Sequence, residues 1–438
     1  MELRLRRSFR LLDGLAMVVG ITVGSGIFRT PGLIAGRLGR PSLTFIAWIL
    51  GGVVSLIGAL IFAELSTRHP RAGGKYVYAG EAFGPRAAFA IGWLEASIYC
   101  VAIAAIGVVS GEYLGRLAGA SDALTRVFGV CLVLLLVGVN LAGVAFGRWT
   151  QNVATAAKVV ALTGVIVVSA FAGNGARWAS SSLPGAPTGL AVLGALALAF
   201  QPVLWTYYGY LDASKIAEEV VDPARTLPRI FLGSIGLVTG LYLLLNAAFL
   251  NVLPLDRIAA SSLVAGDVMS RLFGAWAGSA TALLALVVVV ACLNANVFVT
   301  PRIVYGLARD GLGPRVLARV NPGGAPWAAT LLVGAVSLVL ASTGSFSRLL
   351  SLAILLILVT DGFMVIVLFR LRRREPNAPF RIPLYPWLPW LFLTIYALLL
   401  AAGAADQPVL ACVAAATLAA AYGIARATEI RGRSDSKE

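Results

Sequence analysis

The stretch VVGITVGSGIFRTPG, residues 18–32, is apolar enough to lie in a bilayer, yet it sets glycines at 20, 24 and 26 around the hydroxyl of Ser25. Glycine costs about 1 kcal/mol relative to alanine inside a helix, so the cluster predicts a membrane helix that breaks. A break leaves backbone N–H groups at the start of a half-helix, whose positive dipole end attracts an anion. The amides around Gly24 and Gly26, with the Ser25 hydroxyl, therefore suit a carboxylate. A second interruption is expected in FQPVLWTYYGYLD, residues 200–212, where Pro202 removes a backbone donor and Gly209 weakens the helix. Carbonyls freed in the two interruptions suit an ammonium group. Together they describe a site for a zwitterion. The plainer explanation is that the glycines let helices pack closely, as small residues do in membranes.

Ionisable residues inside apolar runs come next. Lys158 lies in QNVATAAKVVALTGVIVV, about seven residues or roughly 10 Å into its span. Its long stem could lift the ammonium to the interface, but an intramembrane charge is a functional-site hypothesis by default. Glu95 and Asp361 should also lie well inside the bilayer, as proton acceptors or as partners of Lys, Arg or a hydroxyl. Glu64, Arg68, Glu218 and Glu219 fall near span ends and suit a gate or a solvated loop network. The single His69 has no catalytic or metal partner in view, and no H-E-x-x-H, G-x-S-x-G or G-x-x-x-x-G-K-[ST] pattern occurs. No catalytic residue, metal ligand or cofactor is expected, and direct ATP coupling is disfavoured. Cys100, Cys131, Cys292 and Cys412 all lie in apolar spans, as packing residues and not disulfide partners.

The elements that must position these groups follow from composition. Of 438 residues, 59% are hydrophobic and 13% charged, against about 25% charged in a soluble domain. Apolar runs long enough to cross roughly 30 Å of hydrocarbon recur throughout. Twelve spans are expected, near 12–35, 43–66, 87–110, 125–146, 152–173, 189–212, 229–252, 276–305, 328–343, 348–369, 386–403 and 407–425. The fold class is an all-α polytopic membrane protein, with a single transmembrane domain over 1–425 and a cytoplasmic polar tail over 426–438. Alternate loops and tails carry roughly 25 and roughly 8 Lys and Arg residues, which puts both termini in the cytoplasm. The net charge of +15 thus sets topology and can touch anionic lipid; it does not point to nucleic acid. The basic and apolar start resembles a signal peptide but lacks an A-x-A-like site, and is expected to be retained. The outer loop GRLAGASDALTRVFG holds no cysteine, so no covalently tethered partner subunit is expected.

GSGIF in span 1, PRAGGKYVYAGEAFGP after span 2, EEVVDPARTLPR after span 6 and NANVFVTPRIVYGLARDGLGP through span 8 resemble the amino acid–polyamine–organocation (APC) superfamily of amino acid permeases. Four motifs in order make the resemblance strong over spans 1–10. It implies a five-plus-five inverted repeat with broken helices 1 and 6, about 12–173 and 189–369, and two further helices at 386–425. It implies a midplane site reached by alternating access from either side of a plasma or inner membrane. On this chain the carboxylate contacts fall on Gly24, Ser25 and Gly26. The amine contacts fall on the carbonyls of Thr22, Trp205 and Tyr208, and the aromatic lid on Trp205. Lys158 would replace a sodium ion, and Tyr207, Asn294 and Asn296 are candidates for the cavity wall, although such amides also join helices. Tyr207, Tyr208 and Tyr210 cannot all face the site. The expected activity is sodium-independent amino acid transport, as proton-linked symport or exchange. The alternative is a polyamine or organic-cation carrier, which would need a carboxylate near the breaks; Asp212 is the close candidate. An intramembrane enzyme or a lipid scaffold finds less support.

Overall fold

The computed structural model describes residues 9–71, 73–141, 148–172, 182–322, 324–343 and 345–427. Apart from their innermost residues, the expected polar tail and the basic N-terminal cluster lie outside this set. The described chain is helical, as it must be where lipid offers no partner for backbone N–H and C=O groups. A short α1 (Leu11–Thr22) and α2 (Ser25–Leu38) are followed by the long α3 (Pro41–Arg68), a nine-residue α4 (Lys75–Phe83), and α5 (Pro85–Ala118). Then come α6 (Asp122–Leu141), α7 (Arg148–Ala172) and α8 (Ala191–Tyr207), which runs directly into a 3-10 helix, Tyr208–Ser214. The chain continues through α9 (Pro223–Val252), the short α10 (Leu255–Ala260) and α11 (Val264–Phe273), α12 (Ala275–Arg309), α13 (Trp327–Thr343), α14 (Phe346–Arg374), α15 (Trp387–Asp406) and α16 (Pro408–Ala427).

Nine of the described helices are long and apolar enough to cross a bilayer, counting α8 with its 3-10 extension as one. The pair α1 and α2 qualifies as a tenth span, bent by 47°. The apolar stretches Lys158–Ala172 and Trp327–Thr343 are shorter, and the expected twelve requires both to cross. Proline at the first helical position starts α3, α5 and α9, where its missing N–H costs nothing. At the end of α2, Gly39 takes φ 61°, and a Cβ there would fall 2.8 Å from that of Ala186. Helices α5 and α14 form the buried centre, while α6 and α16 present most of their length to lipid. On the lipid side stand exposed apolar residues such as Leu135, Val160 and Leu244.

The two expected interruptions differ: the first is a break, whereas the second helix stays one continuous span. In the first, Val23 and Gly24 alone separate α1 from α2. The second is a change of winding with no gap: α8 tightens from α to 3-10 at Tyr208. Pro202 frees the carbonyl of Leu198, but Arg37 of α2 donates to it, and Thr206 Oγ1 donates to the Pro202 carbonyl at 2.7 Å. With those groups satisfied the chain has no reason to unwind. Beyond the tightened segment, Phe9 N–H donates to the Glu219 carbonyl and Val221 N–H to that of Phe9, both at 3.0 Å. The segment before α1 is thereby tied to the segment after the second interruption.

Candidate functional site

The break in the first helix disposes of its backbone groups one by one. Gly24 N–H donates to the Thr22 carbonyl at 2.9 Å rather than four residues back, so the Gly20 carbonyl is free. Lys158 Nζ donates to it at 3.0 Å. The Thr22 carbonyl also lies 3.0 Å from the hydroxyl of Tyr242, which is equally close to the carbonyl of Thr206. Tyr242 of α9 therefore bridges the two interruptions. No side chain caps the start of α2, leaving the amides of its first turn without intrahelical partners. The Ile21 carbonyl, in the last turn of α1, is orphaned by the same rule.

A cavity opens on this break. Ile21, Thr22, Gly24, Ser25 and Gly26 form one wall, and Trp205, Tyr208, Gly209 and Asp212 a second. From α5 come Ile98, Ala102 and Ile106, spaced four apart on one helical face, with Tyr99 beside them; Cys292, Asn296 and Ile357 complete the lining. Close helix packing builds the cavity as much as exposed amides do. A Cβ on Gly209 would sit 2.5 Å from the backbone N and Cα of Thr22, and one on Gly26 would sit 2.8–3.0 Å from Thr206. Glycine at these two positions lets the interrupted helices touch.

Most of the expected site residues converge here; Tyr207, Asn294 and Lys158 do not line this cavity. Gly24, Ser25, Gly26, Thr22, Trp205, Tyr208 and Asn296 all line the cavity. Tyr207 does not: its hydroxyl donates to the Trp48 carbonyl at 3.1 Å, and its ring packs against Trp48 and Tyr242. Asn294 also turns away, accepting from Asn140 of α6 at 2.9 Å, which is the helix-joining use of an intramembrane amide. Thr22 lines the cavity but its carbonyl is already engaged by Gly24 and Tyr242; Ile21, whose carbonyl has no intrahelical partner by the helix-end rule, lines the same cavity. Of the three tyrosines, Tyr208 faces the cavity, while the Tyr210 hydroxyl packs where a Cβ on Gly58 would stand. Lys158 is buried against Gly20, Ile21 and Cys292 and does not snorkel. Trp205 meets Phe346 edge-on at 6.5 Å, and Phe346 lies under Arg29, which pairs with Glu112 at 3.1 Å.

Behind Asp212 and Tyr208, the cavity is floored by charge. Lys75, from the start of α4, pairs with Asp361 at 2.5 Å and donates to the Tyr208 hydroxyl at 2.6 Å and to Thr360 at 3.3 Å. Lys215 pairs with Asp212 at 2.5 Å and with Glu95 at 3.6 Å, and Tyr99 donates to Asp212 at 2.6 Å. Sequence reasoning flagged the three carboxylates but missed Tyr99, Lys75 and Lys215.

An amino acid permease family model matches residues 9–425. The chain belongs to that family. Its relatives include the serine/threonine exchanger SteT of Bacillus subtilis, 28% identical over 396 residues that cover 88% of this chain and 89% of the relative. The mouse b(0,+)-type amino acid transporter 1 is 27% identical over 420 residues, 92% of this chain and 84% of its own. The rabbit large neutral amino acids transporter small subunit 2 is 28% identical over 413 residues, 92% and 77%. This permease is an integral membrane transporter of amino acids; the polyamine or organic-cation alternative finds no support among these relatives.

Proposed function

We propose that this permease exchanges one zwitterionic amino acid for another without sodium, in a plasma or inner membrane, by rocking of two inverted repeats (about 12–173 and 189–369) around the cavity. The amides at the start of α2 and the Ser25 hydroxyl hold the substrate carboxylate. The ammonium is held by carbonyls at Ile21, Trp205 and Tyr208, that of Trp205 through the lone pair left beside the Tyr208 N–H it already accepts, and Trp205 closes over the substrate. The chain performs no catalysis, both termini face the cytoplasm, and surrounding lipid contacts its basic edges. The observation that carries this reading is that the start of α2, with no side-chain cap, and Ser25 line the same cavity as Ile21 and Thr22 at the end of α1. Exchange in particular is supported by the relative whose name describes a serine/threonine exchanger.

Sodium independence rests on Lys158, whose ammonium holds the Gly20 carbonyl beside the break. The same residue favours a second reading, proton-linked symport. Lys158 is buried and donates to the neutral Gly20 carbonyl, with no ion pair to a carboxylate among the described residues, and an intramembrane ionisable group is a candidate for coupling. Uptake of a panel of twenty amino acids into proteoliposomes tests both. Exchange requires a preloaded amino acid and ignores sodium and proton gradients; symport follows the proton gradient. Lys158→Ala is expected to lower uptake under either reading and to remove any pH dependence. Uptake by that variant equal to the parent's, with the same pH profile, overturns its role.

A further inference from the structure

Asp212 presents a carboxylate to a cavity that should receive amino acids, and a free carboxylate there would invite cationic side chains. It is not free. The tightened segment after Tyr208 winds with three residues per turn, so side chains at i and i+3 eclipse. That winding stacks Lys215 directly on Asp212. The Lys215 ammonium lies 2.5 Å from Asp212 Oδ1 and 3.6 Å from Glu95 Oε1. It also contacts the Tyr99 hydroxyl and sits 3.7 Å from the centroid of the Tyr99 ring. Carboxylates, a hydroxyl acceptor and an aromatic face around one primary ammonium form a complete cation subsite. Its occupant is a primary amine on a four-carbon stem, the terminus of a dibasic amino acid, supplied by the chain itself.

We propose that Lys215 is a tethered surrogate for a cationic substrate side chain, and that it restricts this permease to amino acids with uncharged side chains. The inference rests on the reading of the cavity as the amino acid site and adds its selectivity. With Lys215 in place, an entering side-chain ammonium meets a neutralised Asp212 and a like charge, a juxtaposition that disfavours it. An uncharged side chain meets the apolar face of Ile98, Ala102 and Ile106 instead. Without Lys215, Asp212 and Glu95 lose their countercharge, and the vacancy fits the terminus of ornithine or lysine. A single residue then separates a neutral amino acid carrier from a dibasic one.

The test uses norvaline and ornithine, which share a carbon skeleton and differ by the terminal ammonium. Each competes against exchange of a labelled neutral amino acid in proteoliposomes holding the full chain. In the parent protein norvaline should compete at least about tenfold better than ornithine, and in Lys215→Met that ratio should fall by about tenfold or more. Lys215→Arg should keep the parent's ratio, and adding Asp212→Asn to Lys215→Met should move it back toward norvaline. If Lys215→Met is inactive in transport, ornithine should still raise its melting temperature in detergent more than norvaline does. If it does not fold, the parent's ratio and the double variant decide. Equal competition by the two ligands in the parent overturns the proposal. So does a parent-like ratio or the absence of ornithine stabilisation in Lys215→Met, or a double variant that prefers ornithine. A parent that exchanges no amino acid overturns the reading of the cavity itself.

Discussion

Two carboxylate centres are buried in the bundle, and they are built oppositely. Glu64 of α3 is fully buried and receives five donors. Arg68 reaches it with Nε and Nη2 at 3.1 and 2.7 Å, Arg372 of α14 with Nε and Nη2 at 2.7 and 2.6 Å, and the Ile382 N–H at 2.8 Å. The cavity floor uses lysines instead. Asp212 shares Lys215 with Glu95, and Glu95 Oε2 has no hydrogen-bond partner among the described residues. Arginine offers a rigid fork that fits a carboxylate at two points, whereas lysine is a point charge on a flexible stem. The arginine centre therefore clamps α3, α14 and the connector before α15 together. The lysine centre holds its carboxylates with bonds that one side-chain rotation breaks, as a surface that must change during transport requires.

The largest expected effect follows from breaking the clamp. Glu64→Gln leaves two buried guanidinium groups without a countercharge, and losing one partner of such a centre costs about 3–5 kcal/mol. A large fall in melting temperature and in recovered monodisperse protein should result; a melting temperature equal to the parent's would show that Glu64 is no clamp. Next comes Gly26→Val, away from both centres. Its added atoms meet Thr206 at 2.8–3.0 Å, an overpacking cost of about 1–3 kcal/mol placed where α2 meets α8. Transport should vanish while the protein still inserts and purifies, the reverse of the Glu64 outcome. Retained transport in Gly26→Val breaks the claim that the interrupted helices must touch. Arg372→Lys sharpens the contrast further. It keeps the charge but loses the two-point fit, so a loss of about 1–3 kcal/mol in stability is expected, with transport preserved in the protein that folds.

How much of this was legible in the sequence depends on distance along the chain. The first break, Ser25 and Lys158 were readable because their signals are local: clustered glycines, and one charge in an apolar run. The second interruption was readable as a weakness but not as a 3-10 segment, because the groups that keep it wound, Arg37 and Thr206, come partly from α2. Lys215 was hidden for the same reason. In the sequence it falls just past the expected span, at the border of a polar loop, and the helical winding that sets it over Asp212 continues beyond that boundary. Lys75 sat in the segment between the expected spans 2 and 3, and nothing local says that its ammonium reaches Asp361, far along the sequence. The occupied Thr22 carbonyl depends on Tyr242 of α9. Side chains that complete one another across helices leave no periodic trace in either helix.

The smallest expected effect tests the yielding side of the comparison. Tyr208→Phe removes one hydroxyl that accepts from Lys75 at 2.6 Å, while Lys75 keeps Asp361 at 2.5 Å and Thr360 at 3.3 Å. A hydrogen bond to a charged group contributes about 1.5–3 kcal/mol, but here two partners remain to take up the ammonium, so the net loss in stability should fall below that range. Thermal unfolding should shift by no more than a few degrees. Exchange should continue with KM raised by less than about tenfold, because the phenyl ring still closes the cavity wall. A collapse of stability comparable to that of Glu64→Gln would mean that the floor is clamped as tightly as the arginine centre, and the division between a fixed side and a yielding side would have to be abandoned. Loss of exchange in a stable Tyr208→Phe would instead assign the hydroxyl itself to the substrate.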